Sequence, residues 1–166
     1  MKFRKDFVTN SSSSSFIVSF NSKDEALDYF EKKRKIDDIF SWVVRDIENE
    51  PEMTHEEAIE FAREQYEHEA YYILMCKPYK GYRSFVDYME KKTGDKHKMI
   101  DVFEMPEFVE AKENIVNEKV EEFKEKIKDS KYLVRLEYED HSSAGSELEH
   151  EIMPQLDCTI ERFNHH

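Results

Sequence analysis

The stretch YLVRLEYE, Tyr132–Glu139, decides the fold. Tyr132, Val134, Leu136 and Tyr138 alternate with Arg135, Glu137 and Glu139, the two-residue period of a strand with one buried face. A second strand is expected at Phe16–Phe20, FIVSF, which is short, β-branched and aromatic and is closed by Asn21-Ser22. A last strand is expected over Cys158–Phe163. The sheet therefore takes strands from both ends of the chain.

Between the first two strands the apolar period becomes helical. Ser22-x-x-Glu25 is a capping box, in which serine oxygen and glutamate satisfy opening N–H groups, and a helix should run to about Arg34 on Ala26, Leu27 and Phe30. Ile36, Ile39, Phe40, Val43 and Ile47 share one helical face, widened by Trp42 and Val44. A second capping box, Thr54-x-x-Glu57, opens a helix to about Met75 with Ile59, Ala62, Tyr66, Ala70 and Ile73 inward. Ser84-x-x-Asp87 caps a shorter helix that Gly94 closes. Met99–Phe103 fits either strand or helix, and Pro106 suits the first turn of a helix to about Lys128. After the strand at Tyr132, a short helix capped by Ser146 or Gly145 should reach Met153, where Pro154 stops it. The expected fold is α+β, with about five or six helices packed on one face of a small two- to three-stranded sheet. No linker composition divides the 166 residues, so one domain, 1–166, is expected, with 1–15 as a serine-containing N-terminal segment.

Composition removes several functions. Glycine occurs only at Gly81, Gly94 and Gly145, so the phosphate-binding loops and nucleophile elbows that need close backbone approach or positive φ are absent. The formal charge of −13 opposes binding to a nucleic acid backbone. No apolar run approaches the ~20 residues of a membrane-spanning helix. Met1-Lys2-Phe3-Arg4-Lys5 mimics the start of a secretion signal, but Asp6, Thr9, Asn10 and the serines interrupt any apolar core, so none is expected. Cys76 and Cys158 form no framework or C-x-x-C pair, and a reduced cytoplasm with two small buried thiols is expected.

Candidate sites follow from topology. The connection from Asp140 to Asp157 is long enough for a parallel crossover between the last two strands. Their C-terminal ends would then share one sheet edge, placing Asp140 and His141 near His165 and His166. If the first strand runs antiparallel to both, its start, Ser11 to Ser15, arrives at that same edge. The convergence suits a divalent metal site on Asp140, His141, His165 and His166, a serine–histidine nucleophile, or a hydrogen-bonding pocket without chemistry. Glu147 and His150 form a Glu-x-x-His pair, a spacing that bundle metal sites use only in pairs of motifs, and no second copy exists. Residues 132–166 hold two arginines against eight acidic residues and four of the seven histidines. In the loop at 77–83, Lys77, Lys80 and Arg83 flank Tyr79 and Tyr82, a stacking surface or a solvated turn.

Asp6-Phe7-Val8-Thr9-Asn10-Ser11-Ser12-Ser13-Ser14-Ser15-Phe16 resembles an N-terminal signature, F-V-[TS]-N-S-S-S-S-S-F, found on many uncharacterised bacterial, archaeal and phage proteins. The resemblance covers about the first 20 residues. It implies that the serine run is native, and it carries over no catalytic residue and no fold for 21–166. The sequence thus favours a non-enzymatic interaction or regulatory protein, with Asn10, Ser11, Ser12, Ser13, Ser14 and Ser15 as binding or modification candidates. The alternative is a metal-dependent or Ser/His hydrolase-like enzyme at the shared sheet edge.

Overall fold

A computed structural model describes residues 13–165. Among them are seven α-helices and one three-stranded sheet, so the fold is α+β as the periodicities indicate. The described residues part into two compact units, one of 13–55 with 129–165 and one of 56–128. Neither boundary falls in a glycine- or proline-rich stretch, which is why composition alone reads as continuous.

The first unit holds the sheet. Strand β1 (Ser13–Phe20) lies between β2 (Tyr132–Glu139) and β3 (Thr159–His165) and is antiparallel to both. β2 and β3 are therefore parallel, and the segment joining them crosses over β1. Phe16 stands opposite Leu136 on one side and Arg162 on the other. A register shift between Ile17 and Val18 marks a bulge against β3. β1 starts three residues earlier than its apolar run suggests, because Ser13, Ser14 and Ser15 all pair in the ladder.

One sheet face carries Phe16, Val18, Phe20, Tyr132, Val134, Leu136 and Tyr138, all buried against helices α1 (Lys23–Arg34) and α2 (Phe40–Asn49). The opposite face is buried at its centre, at Ser15, Ile17 and Leu133, whereas Arg135, Glu137 and Glu139 are exposed. The Ser22 hydroxyl accepts from the Glu25 N–H at 3.2 Å, and the Glu25 carboxylate reaches back to the Asn21 N–H at 3.1 Å, one residue before the serine. Two inward expectations for α2 are corrected. Ile36 falls in the turn after α1 and is 89% exposed, and Trp42 lies on the rim at 40%.

The second unit comprises α3 (His55–Cys76, from Glu56 onward), α4 (Phe85–Thr93), α5 (Met99–Phe103) and α6 (Pro106–Ile127). Met99–Phe103, open between strand and helix in sequence, is a helix. The buried stripe of α3 is Ala58, Ala62, Tyr66, Ala70 and Leu74, at steps of four; Ile59 and Ile73 sit half-buried beside it. Leu74, Phe85, Met89, Val102, Phe108 and Ala111 form one core cluster, with Phe85 edge-on to Phe108 at 5.2 Å. Gly94 ends α4 at φ 80°, the left-handed position a C-terminal glycine takes without strain.

Candidate functional site

The start of β1 and the ends of β2 and β3 meet at one sheet edge. Ser13 stands opposite Glu139 on one side and His165 on the other, and Ser14 stands opposite Tyr138 and Asn164. The antiparallel arrangement thus brings the serine run beside the last residues of β3. Asn10, Ser11, Ser12 and His166 lie outside the described residues.

The crossover covers this edge. Its helix α7 (Ser143–Glu147) is capped by Ser142, whose hydroxyl accepts from the Gly145 N–H at 3.0 Å; this corrects the expected cap at Ser146 or Gly145. Gly145 has no unusual φ; it is needed for space, since a Cβ there would lie 2.1 Å from the Glu139 carbonyl oxygen. The chain then widens into a π-helical turn, Leu148–Ile152. The Met153 N–H bonds to the Leu148 carbonyl, and both side chains enter the sheet core. That turn delivers Glu149, 1% exposed, onto the polar end of an otherwise apolar face.

Three side chains close around Ser14, which is 0% exposed. Its hydroxyl donates to Glu149 Oε1 at 2.9 Å, with Asn164 Oδ1 a second acceptor at 3.1 Å. A hydroxyl has one hydrogen, and the carboxylate makes the stronger, charge-assisted bond. The serine oxygen accepts from Arg162 Nε at 3.2 Å and Nη2 at 3.1 Å, so both arms of one guanidinium edge address it. Arg162 also lies over the Phe16 ring at 5.7 Å and 3.7 Å from Glu149 Oε1. His150 Nδ1 is 3.4 Å from Arg162 Nη2, and Nε2 is 3.7 Å from Glu149 Oε2. A guanidinium has only donors, so in this contact Nδ1 is the acceptor. The result is a buried polar network linking β1, β3 and the crossover.

His141 is exposed and pairs with Glu139 at 2.9 Å, Asp140 is exposed beside it, and Glu147 is exposed on α7. His150 bonds within the Ser14 network, and Glu147 is not among its contacts there. Among the described residues no three His, Cys, Asp or Glu side chains gather as a metal site. Of the serines expected as binding or modification candidates, Ser14 and Ser15 are both buried. Arg162, Glu149 and Asn164 were not singled out in the sequence. Only the cross-strand register, Phe16 with Arg162 and Ser14 with Asn164, identifies two of them.

The same face ends in titratable groups without charge. Burial first, then the negative charge of Asp46, pushes the Tyr138 phenol well above its ordinary value. Tyr132 is raised by burial and by Glu52. Burial pushes the Cys158 thiol up to about 11, a poor nucleophile at neutral pH. No helix among the described residues is long and apolar enough to cross a membrane. No family model matches this chain, and no curated protein or solved structure matches it.

Proposed function

We propose that this chain is a non-enzymatic, cytoplasmic interaction protein whose N-terminal serine segment serves as a recognition or modification element for a protein partner. The observation that carries the reading is Ser14: fully buried, with its hydroxyl held between Glu149 and Arg162. A nucleophilic serine must meet a substrate, and the Ser14 hydroxyl is closed off from solvent. Ser14 and Ser15 act as the anchor of the segment, and recognition falls to Asn10, Ser11 and Ser12 ahead of it. The net charge of −13 favours protein over nucleic acid as partner, and the free thiols Cys76 and Cys158 fit a reducing compartment.

Intact-mass spectrometry tests the reading twice. Protein isolated from its natural host should carry added mass that Ser11→Ala with Ser12→Ala removes; an unmodified mass under every growth condition sinks the modification element. Incubation of the purified chain with an alkyl fluorophosphonate should add nothing. Label that disappears in Ser14→Ala would establish a reactive serine and overturn the non-enzymatic reading.

A further inference from the structure

The loop before α4 is a tight hairpin turn. Tyr79 and Tyr82 exchange both backbone hydrogen bonds at 2.9 Å, and the two residues between them, Lys80 and Gly81, have φ of 47° and 85°. Positive φ at both central positions is the primed turn, which favours Asn-Gly or Gly-Gly. Lysine at the first of them is unusual, and Lys80 is the one positive-φ residue other than glycine among those described. Its side chain turns back onto the protein. The ammonium lies 5.2 Å from the Tyr79 ring centre and 5.3 Å from that of Tyr88 on α4. Those two rings stand 5.3 Å apart at 68°, so they form a corner with two π-faces on one cation. Tyr82 extends it, 5.6 Å from Tyr88 and 37% exposed, and Phe85 backs it, 4.9 Å from Tyr79.

We propose that the Tyr79–Tyr82–Tyr88 corner is a binding site for a methylated or quaternary ammonium group, and that Lys80 is its tethered intramolecular competitor. Two ring faces near a right angle are what such a cation needs, because its charge is spread over methyl groups that contact the rings directly. A primary ammonium is strongly hydrated and gives up water to enter. Lys80 occupies the corner because the turn holds it there. A quaternary ammonium has no N–H to satisfy and displaces it, leaving the Lys80 ammonium to water. The groove alongside, lined by Tyr82, Arg83, Asp87, Glu90 and Lys91, offers charges of both signs to whatever carries the ammonium. This site lies in the second unit and stands independently of the serine segment.

Aromatic carbon–proton NMR of the full chain, titrated with tetramethylammonium chloride, tests the proposal. The Tyr79 and Tyr88 ring signals should move saturably, and an equal concentration of sodium chloride should leave them in place. Lys80→Gln removes the competitor and should tighten apparent binding by about fivefold, since a site occupied part of the time binds in proportion to its free fraction. Tyr88→Leu should abolish the response. If that variant unfolds, Lys80→Gln decides. Absence of saturable shifts in both the parent chain and Lys80→Gln overturns the proposal, as does unchanged affinity in Lys80→Gln. Parallel titrations with choline and with a trimethyllysine peptide identify the source: the tighter ligand tells a small solute from a modified protein.

Discussion

Ser14 and Ser19 sit five positions apart on one strand, yet they show two ways of keeping a hydroxyl in a sheet. Ser14 is fully buried and is held by Glu149 and Arg162, from the crossover and the last strand. Ser19 is half-buried and meets one neutral neighbour, the Ser130 hydroxyl, at 2.7 Å. Removing a hydroxyl from water is tolerable only where the lost hydration is replaced, and the degree of replacement scales with burial. At the Ser14 end, charged groups supply the replacement, and those charges then depend on the serine and on each other. At the Ser19 end, water remains available. The polar end of the sheet is therefore cooperative and the Ser19 end is not.

The largest break in that contrast is Arg162→Ala. It removes the cation facing a carboxylate that is 1% exposed, while Arg162 itself keeps 28% exposure. Breaking a buried pair by deleting one partner typically costs 3–5 kcal/mol, and the exposure of Arg162 places this case near the lower end, about 3 kcal/mol. Trp42, the single tryptophan, lies on α2 over the sheet, so its fluorescence in urea reports this unit. A midpoint unchanged by Arg162→Ala would mean that the network contributes no stability. Ser14→Ala comes next, at about 2 kcal/mol, because it leaves buried charged groups short of a partner. Combined with Arg162→Ala it should cost clearly less than the sum of the two. Strict additivity would show that the residues do not act as a unit.

Much of this sheet was legible in sequence because its signals are local. Alternation from Tyr132 to Tyr138 marks β2, Phe16–Phe20 marks β1, and the length from Asp140 to Asp157 permits the crossover that makes β2 and β3 parallel. The site was legible only as a place. Register is a property of pairs of strands, and the bulge at Ile17/Val18 shifts β3 against β1. Which β3 side chain meets Ser14 therefore cannot be read from either segment. The same limit hid Glu149. Its entry depends on a π-helical turn, whose Leu148-to-Met153 bond steps by five, and α-helical spacing gives no warning of it. Helical periodicity also overran at Ile36, which continues the face of α2 in sequence but falls outside the helix in space. The serine run is the opposite case. Its composition resembles a flexible linker, yet pairing on both sides draws Ser13, Ser14 and Ser15 into the ladder.

The apolar part of the face makes its own contrast, through pH. Tyr138, Tyr132 and Cys158 all have folded values above the ordinary 10.0, 10.0 and 9.0. In each case the unfolded chain releases its proton first. Their favourable contribution is thus whole below pH 9 and is lost as pH rises, for Cys158 between 9.0 and about 11 and for the tyrosines above 10.0. Urea midpoints followed by Trp42 should fall across that window, and Tyr138→Phe should flatten the fall. An equal slope in Tyr138→Phe would show that its hydroxyl carries none of the dependence.

The smallest expected effect is the sharpest test of the comparison. Ser19→Ala deletes a hydroxyl whose one described side-chain partner is another serine, free to bond water instead. The Ser19 backbone N–H, which donates to the Cys158 carbonyl at 3.0 Å, is untouched by the change. Alanine is also a poorer strand residue than most, though no worse than serine by enough to matter. The expected loss is within about 0.5 kcal/mol, against about 2 kcal/mol for the same substitution at Ser14. The two variants share a strand, a chemistry and a volume change. They differ in burial and in the charge of the partners, so the gap between them measures what burial and the Glu149–Arg162 pair add together. Equal losses would mean that strand position, not the charged network, sets the cost of losing a serine hydroxyl here.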